Sequence, residues 1–143
     1  MNGWERVRGL FGKTTSTGTR GERQAERFLR RQKGYRVLAR NWRSPRDRRD
    51  ELDLVCRDRD VLVFVEVKTR SASALVPGYF AVDERKKDVI RRAADVYLKC
   101  LPSETRPRNF RFDVVEISMQ PGATEGELRH FENVPLFSKD FWR

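Results

Sequence analysis

The segment from Val61 to Lys68 constrains the fold of this 143-residue chain more than any other feature. Valine occupies every second position from 61 to 67, and the alternate positions carry Leu62 and Phe64 before Glu66 and Lys68. Because side chains on a strand point alternately to opposite faces, this strand is apolar on both faces until its last residues. We therefore expect a central strand of a sheet, with an acid and a base emerging from one face at its end.

A second strand-like run, Glu51 to Cys56, precedes this strand, and the polar segment 57–60 separates the two. Two such runs joined by a short polar turn predict a β-hairpin. If the turn closes symmetrically about its midpoint, Asp53 lies opposite Phe64, on the same face as Glu66 and diagonal to it. The backbones of the two acids would then be about 7–8 Å apart, and their carboxylates closer.

Glu51 falls on the same face, opposite Glu66, so two or three carboxylates would lie close together. Carboxylates this close repel one another unless a cation lies between them, and the candidates are a divalent metal ion and Lys68. Oxygen ligands without His or Cys favour Mg²⁺ or Mn²⁺ over zinc. The alternative is a solvated strand face with an ordinary Glu–Lys pair. Polar residues confined to the end of an apolar strand favour a functional site.

A helix is predicted from Gly21 to about Gln32, because Ala25 and Leu29 recur at helical spacing. Glu22 falls on this apolar stripe and in the first turn, where the helix dipole alone would favour an acid. If the stripe packs on the hairpin, Glu22 reaches the same group of acids. The other face of the helix is rich in arginine: Arg23, Arg27 and Arg30.

The remaining pattern predicts further strands and one more helix. We expect strands at Tyr35–Trp42, Phe110–Ile117 and His130–Phe137, and a helix from the N-cap Asp83 to about Leu101, before Pro102. The resulting order of elements predicts an α/β layered fold with a mixed sheet.

The net charge of +10 is confined to the first part of the chain. Residues 1–50 contain 15 of the 31 Lys and Arg but 5 of the 21 Asp and Glu. A one-sided basic surface is typical of proteins that bind phosphate backbones, although a solvated face or an acidic protein partner would also explain it. We expect a flexible basic N-terminal arm at 1–20, a single domain at 21–137 and a C-terminal tail at 138–143.

The composition also limits where the protein acts. No apolar run approaches the ~20 residues that a membrane span needs, so no membrane partner is expected. Cys56 and Cys100 are far apart in sequence and fit no paired metal-binding spacing. Free cysteines without such spacing are typical of a reduced, cytoplasmic protein.

Several blocks, taken together in this order, resemble the YraN family of small bacterial proteins, which are similar to Holliday junction resolvases and other PD-(D/E)xK nucleases. The resemblance extends over about residues 21–117. Its blocks are Gly21–Glu26, Ala39–Arg43, Glu51–Val55, Val63–Arg70, Ala81–Val82, Lys86, Ala93–Ala94, Tyr97–Leu98 and Arg111–Val115.

The resemblance implies a restriction-endonuclease-like, three-layer α/β fold in which a mixed β-sheet is flanked by helices. Asp53 matches the first aspartate of the motif, Glu66 and Lys68 match its (D/E)xK part, and Glu22 matches the acid that such nucleases often bring from the first helix. It further implies that Asp53, Glu66 and Glu22 hold Mg²⁺ or Mn²⁺, and that Lys68 orients water or stabilises charge on the phosphate.

Partners follow from the charge and from the resemblance. The expected partner is nucleic acid, in particular DNA, branched or structured DNA included, and a homodimer is an option because junction-cleaving enzymes act on two strands. A non-catalytic nucleic-acid-binding module or an adaptor for an acidic protein is the alternative. The residues expected to contact nucleic acid are Arg23, Arg27, Arg30, Arg43, Arg70 and Lys86.

Some positions depart from the family pattern or stand outside it. The loop from Trp42 to Glu51 is long and charged, with Asp50 where glycine is expected, and position 87 is lysine where glutamine is expected. These departures bear on substrate contacts more than on the catalytic set. His130 is expected at the surface and Cys100 partly buried. Cys56 is expected in the core, on the face that carries Leu52 and Leu54.

Overall fold

The computed structural model describes residues 17–72 and 83–136. Two helices and five strands account for most of them. In chain order they are α1 (Thr17–Arg31), β1 (Arg36–Arg43), β2 (Glu51–Asp58), β3 (Val61–Ser71), α2 (Glu84–Cys100), β4 (Asn109–Met119) and β5 (Glu127–Phe131), with a 3₁₀ turn at Ser103–Thr105.

The five strands form one mixed sheet in the order β1-β2-β3-β4-β5. β3 and β4 are parallel, and the other three neighbouring pairs are antiparallel. The parallel pair needs a crossover, and α2 lies in the connection between its strands. The expected mixed sheet with β3 at its centre is confirmed.

β3 is buried on both faces, as its sequence predicts. Val63 and Val65 pack with Ala25 and Leu29 of α1. On the opposite face, Phe64 belongs to a second core, together with Ile90, Ala94 and Tyr97 of α2. One helix therefore covers each side of the sheet, and the chain has the three-layer α/β architecture of a restriction-endonuclease-like fold.

Helix α1 begins at Thr17, four residues before the predicted start, so residues 17–20 of the expected arm are helical. The later start was predicted because residues 1–20 show no sustained apolar period. In the structure a Cβ at Gly21 would lie 1.9 Å from Thr69 Oγ1, so Gly21 lets α1 pack closely on β3. Residues 1–16, and the expected tail at 138–143, lie outside the described residues.

The hairpin is confirmed, but its predicted register is wrong by two residues. β2 continues to Asp58, which pairs with Val61, and a two-residue turn at Arg59 and Asp60 joins the strands. Arg59 has φ +55°, the left-handed conformation that such tight turns require. Asp53 therefore does not lie opposite Phe64. An even shift of two residues does not by itself move a side chain to the other face of the hairpin.

The alternation of side chains between the two faces of the sheet breaks near the end of β1 and the start of β2. Leu54 and Cys56 pack toward α1, whereas Leu52 packs in the core beneath α2, so the expectation that Leu52 shares their face is wrong. On the neighbouring strand, Asn41 has φ +46°. This left-handed residue interrupts the pleat of β1 beside the interrupted segment of β2.

The charged loop between β1 and β2 is anchored to the fold through Asp50, which is buried. The Asp50 carboxylate accepts hydrogen bonds from Arg92 of α2 at 3.1 and 3.2 Å. The backbone N–H of Ser44 donates to the carbonyl of Asp50, which closes the loop. Asp50 has a structural role here that glycine would not supply.

The side chain of His130 is buried, contrary to the expectation of a surface residue. Its side chain is 6% exposed, and its Nε2 lies 2.8 Å from Asp113 Oδ2. Asp113 also accepts hydrogen bonds from Arg111 and from the backbone N–H of Asn133. Burial opposes ionisation of Asp113, but these hydrogen bonds lower its pKa below the usual value. This polar group joins β5 to β4 inside the core.

The two cysteines differ in environment. Cys56 is a core residue as predicted, and burial raises the pKa of its thiol to about 12. Cys100 is exposed at the last residue of α2, so the expectation of partial burial is wrong.

The last strand, β5, ends at Phe131, earlier than the predicted final strand. No helix among the described residues is long and apolar enough to cross a membrane.

Candidate active site

The acidic site lies where the paired part of the hairpin ends. The last paired positions of β2 and β3 at this end are Leu54 and Val65, so Asp53 and Glu66 are the next residues of the two strands. Asp53 Oδ2 accepts a hydrogen bond of 2.8 Å from the backbone N–H of Val67. This bond fixes the Asp53 carboxylate against the backbone of β3, beside Glu66.

Glu66 is a buried acid, with 4% of the residue exposed. Burial and then the charge of Asp53 raise its pKa well above the usual value, and the positive charges of Lys86 and Lys68 oppose that shift. The charge of Asp53 therefore destabilises the charged form of Glu66, and a cation placed between the two carboxylates would relieve the repulsion.

Helix α1 brings Glu22 to Asp53 and Glu66, and these three residues are called the acidic group below. Burial, followed by the charges of Asp53 and Glu51, raises its pKa to about 7, while a hydrogen bond with Asn41 acts in the opposite direction. The close packing of Gly21 on β3 brings this part of the helix to the strand end. Because α1 begins at Thr17, Glu22 lies in the second turn, and the helix dipole does not explain its presence.

Lys86 forms an ion pair with the acidic group. The sequence predicted a contact between Lys86 and nucleic acid, but not this pairing. Lys86 Nζ is 3.4 Å from Glu66 Oε1. Burial alone would lower the pKa of Lys86, but the charges of Glu66, Asp53 and Glu51 raise it. Lys86 belongs to the first turn of α2, and its place over the sheet depends on how that helix packs, so spacing along the chain gave no signal.

Lys68 lies beside a further acid that sequence reasoning missed. In the parallel register of β3 and β4, Lys68 is opposite Glu116, which is 4% exposed. Glu116 Oε1 lies 3.3 Å from Arg70 Nη1, and Glu116 Oε2 has no hydrogen-bond partner among the described residues. The only sequence signal for Glu116 is an acid between the apolar residues Val115 and Ile117.

The residues expected to contact nucleic acid differ in their availability. Arg23 is exposed, and within the described part of the chain it forms no ion pair. The side chains of Arg27, Arg30 and Arg43 are about half exposed and pair with Glu125, Glu26 and Glu51, respectively. Arg70 is 15% exposed and held by Glu116, and Lys86 is held by Glu66.

The chemistry of the acidic group suits a hard divalent cation. Asp53, Glu66 and Glu22 offer oxygen ligands. Burial first, and then repulsion by neighbouring acids, raises the pKa values of Glu22 and Glu66. Among residues 17–72 and 83–136, no three or more His, Cys, Asp or Glu side chains are already arranged as a metal-binding group. The positively charged partner of Glu66 in this arrangement is Lys86.

Comparison with known proteins matches the sequence of this chain to a family. The profile of the uncharacterised protein family UPF0102 matches residues 21–117. A UPF0102 protein of Chlorobium phaeobacteroides is 42% identical over 115 residues, covering 80% of this chain and 86% of that protein. One from Symbiobacterium thermophilum is 45% identical over 112 residues, covering 78% and 87%. One from Syntrophomonas wolfei is 40% identical over 119 residues, covering 81% and 94%.

The matched region contains each of the elements that form the acidic site, from Glu22 on α1 through the hairpin to Lys86 on α2. The similarity also extends over most of the length of each relative. The chain therefore belongs to family UPF0102, the YraN family that its sequence blocks resemble.

Proposed function

We propose that this chain is a metal-dependent nuclease that binds DNA and hydrolyses phosphodiester bonds. The observation that carries the proposal is the meeting of Glu22, Asp53 and Glu66, which come from one helix and two strands. Acids that are buried together at a cost to stability are typical of functional sites, because a structural role does not require their repulsion. The resemblance to PD-(D/E)xK nucleases supports the same reading.

Asp53, Glu66 and Glu22 would hold the metal ion. A divalent cation bound to these oxygens supplies a Lewis acid that polarises the scissile phosphate and lowers the pKa of a water molecule. The hydrogen bond from the Val67 N–H orients Asp53 in advance of binding. The ammonium group of Lys68, at the end of the same strand, would stabilise charge that develops on the phosphate.

The exposed arginines of α1 would hold the DNA backbone. Arg23 is free to meet a phosphate, and the ion pairs of Arg27 and Arg30 lie at the surface, where such pairs contribute little. These arginines can therefore exchange a carboxylate for a phosphate at small cost. Contacts of this kind position a protein on DNA without reading its sequence.

A non-catalytic DNA-binding module is the second candidate, and one observation favours it. Lys86 already neutralises Glu66, so the acidic group has a counterion without a metal ion. Divalent-cation binding distinguishes the two candidates. A nuclease site binds Mn²⁺ and is stabilised by it, since a ligand that binds only the folded state raises its stability, whereas a pure binding module gains nothing from Mn²⁺.

A cleavage assay tests the proposal. The full chain is incubated with Mn²⁺ and labelled linear, flapped and four-way DNAs, beside the variants Asp53→Asn and Asp60→Asn. We expect cleavage of at least one DNA by the parent protein and a loss of about 100-fold or more in Asp53→Asn. Asp60 is the matched control, because it is almost fully exposed at the opposite end of the same hairpin. The proposal would be contradicted if the parent protein cleaves none of the DNAs, or if Asp53→Asn cleaves them as well as the parent does.

A further inference from the structure

The side chains of Glu66 and Lys86 form a partly buried ion pair at the centre of the acidic group. Glu66 is 5% exposed and Lys86 is 34% exposed, measured over the side chains, with 3.4 Å between Oε1 and Nζ. The backbone N–H of Lys86 donates to Asp83 Oδ1 at 2.9 Å, which fixes this residue in the first turn of α2. The start of the helix therefore holds the lysine over the end of β3.

Lys86, rather than Lys68, is the ion-pair partner of Glu66. Lys68 contributes positive charge near Glu66, but it forms no ion pair with any described residue. A buried carboxylate without a partner is costly, so Lys86 stabilises the acidic group when nothing else neutralises it. The side chain of Lys86 reaches solvent, which allows its ammonium group to move outward along a flexible stem.

A divalent cation on Glu66 and Asp53 would lie close to the ammonium group of Lys86. Two like charges about 4 Å apart repel strongly where water is largely excluded. We propose that Lys86 is the internal counterion of the acidic group, and that a divalent cation binds Glu66 by displacing it. The inference rests on the proposed function, because it takes the acidic group to be a metal site. Lys86 is then a positioning residue that sets the affinity for the metal ion.

Calorimetric titration with Mn²⁺ tests the displacement. Lys86→Met keeps the length of the stem and removes the charge, so we expect binding roughly tenfold tighter than in the parent protein. Lys86→Arg keeps the charge and should bind Mn²⁺ within about threefold of the parent. Lys87→Met is the matched control, since Lys87 pairs with Glu84 at 3.7 Å instead of with the acidic group. Its affinity should equal that of the parent.

Thermal denaturation without metal establishes that each variant is folded and provides a second readout. The rise in melting temperature on adding Mn²⁺ should be larger in Lys86→Met than in the parent protein. If the parent binds Mn²⁺ and Lys86→Met binds no more tightly, the displacement is refuted while the nuclease proposal stands. If neither protein binds, both proposals fail. Equal tightening in Lys87→Met would show a general charge effect and overturn the assignment to Lys86.

Discussion

At the scale of single residues, the site is a balance between acids that repel one another and lysines that offset the repulsion. The face of Glu66 was predictable, because strand periodicity fixes it in β3. Periodicity does not fix the face of Asp53, because the alternation of β2 breaks between Leu52 and Leu54. The face of Glu22 was predictable from helical spacing. Asn41 and Lys86 were not predictable, since the first depends on a left-handed backbone and the second on the packing of a separate helix. Local periodicity carries no signal for either.

The raised pKa of Glu22 predicts a pH dependence of stability. Between about pH 4.5 and about pH 7 the folded protein retains a proton on Glu22 that the unfolded chain has released, so the free energy of unfolding falls as pH rises through this window. Glu22→Gln should reduce this fall in the free energy of unfolding by about 1 kcal/mol, a value discounted for solvent screening because Glu22 is partly exposed.

Urea unfolding between pH 4.5 and pH 8 measures this effect. Glu104→Gln serves as the control, because Glu104 is exposed in the 3₁₀ turn and has no part in the acidic group. Its stability should fall with pH as steeply as that of the parent protein. The same steep fall in Glu22→Gln would show that Glu22 is not held among the other acids.

At the scale of elements, the close approach of α1 to β3 places Glu22, and the end of the hairpin places Asp53 and Glu66. The hairpin itself was predictable from its two apolar runs, and its even register error does not change the face of a side chain. The predicted face of Leu52 is wrong for a different reason, the break in the alternation of β2. The register was not predictable, since Arg59 takes a left-handed conformation that glycine or asparagine more often signals. The start of α1 at Thr17 was not predictable either, because residues 17–20 carry no apolar side chain.

Substitution of Gly21 tests the approach of α1 to β3. A Cβ at this position would lie 1.9 Å from Thr69 Oγ1 and 3.2 Å from Thr69 Cβ. We expect Gly21→Ala to lower the free energy of unfolding by about 1–3 kcal/mol through overpacking, although alanine is the better helix former.

A double-mutant cycle supplies the control for this prediction. Thr69→Ala removes the hydroxyl group that a Cβ at Gly21 would meet, so the double variant should recover much of the lost stability. Urea unfolding of the parent, the two single variants and the double variant gives the coupling energy. A stabilising Gly21→Ala, or additive effects in the double variant, would mean that α1 and β3 do not touch at this point.

At the scale of the whole molecule, the excess positive charge lies on the first 50 residues, whereas most of the acidic site comes from residues that follow them. The arginines of α1 and β1 that have ionic partners pair with acids of their own helix and of other segments, for example Arg43 with Glu51 and Arg27 with Glu125. The uneven distribution along the chain was readable from the sequence. Which arginines remain exposed was not, because each pair depends on tertiary contacts.

Titration with Mn²⁺ of the full chain and its acidic variants tests most directly whether Glu22, Asp53 and Glu66 form one cation site. We predict saturable binding by the parent protein, loss of binding in Asp53→Asn and in Glu66→Gln, and weaker binding in Glu22→Gln, with every variant folded by circular dichroism. Glu104→Gln should bind like the parent. Equal binding by all variants, or no binding by the parent, would contradict the central claim that these three acids form a metal site.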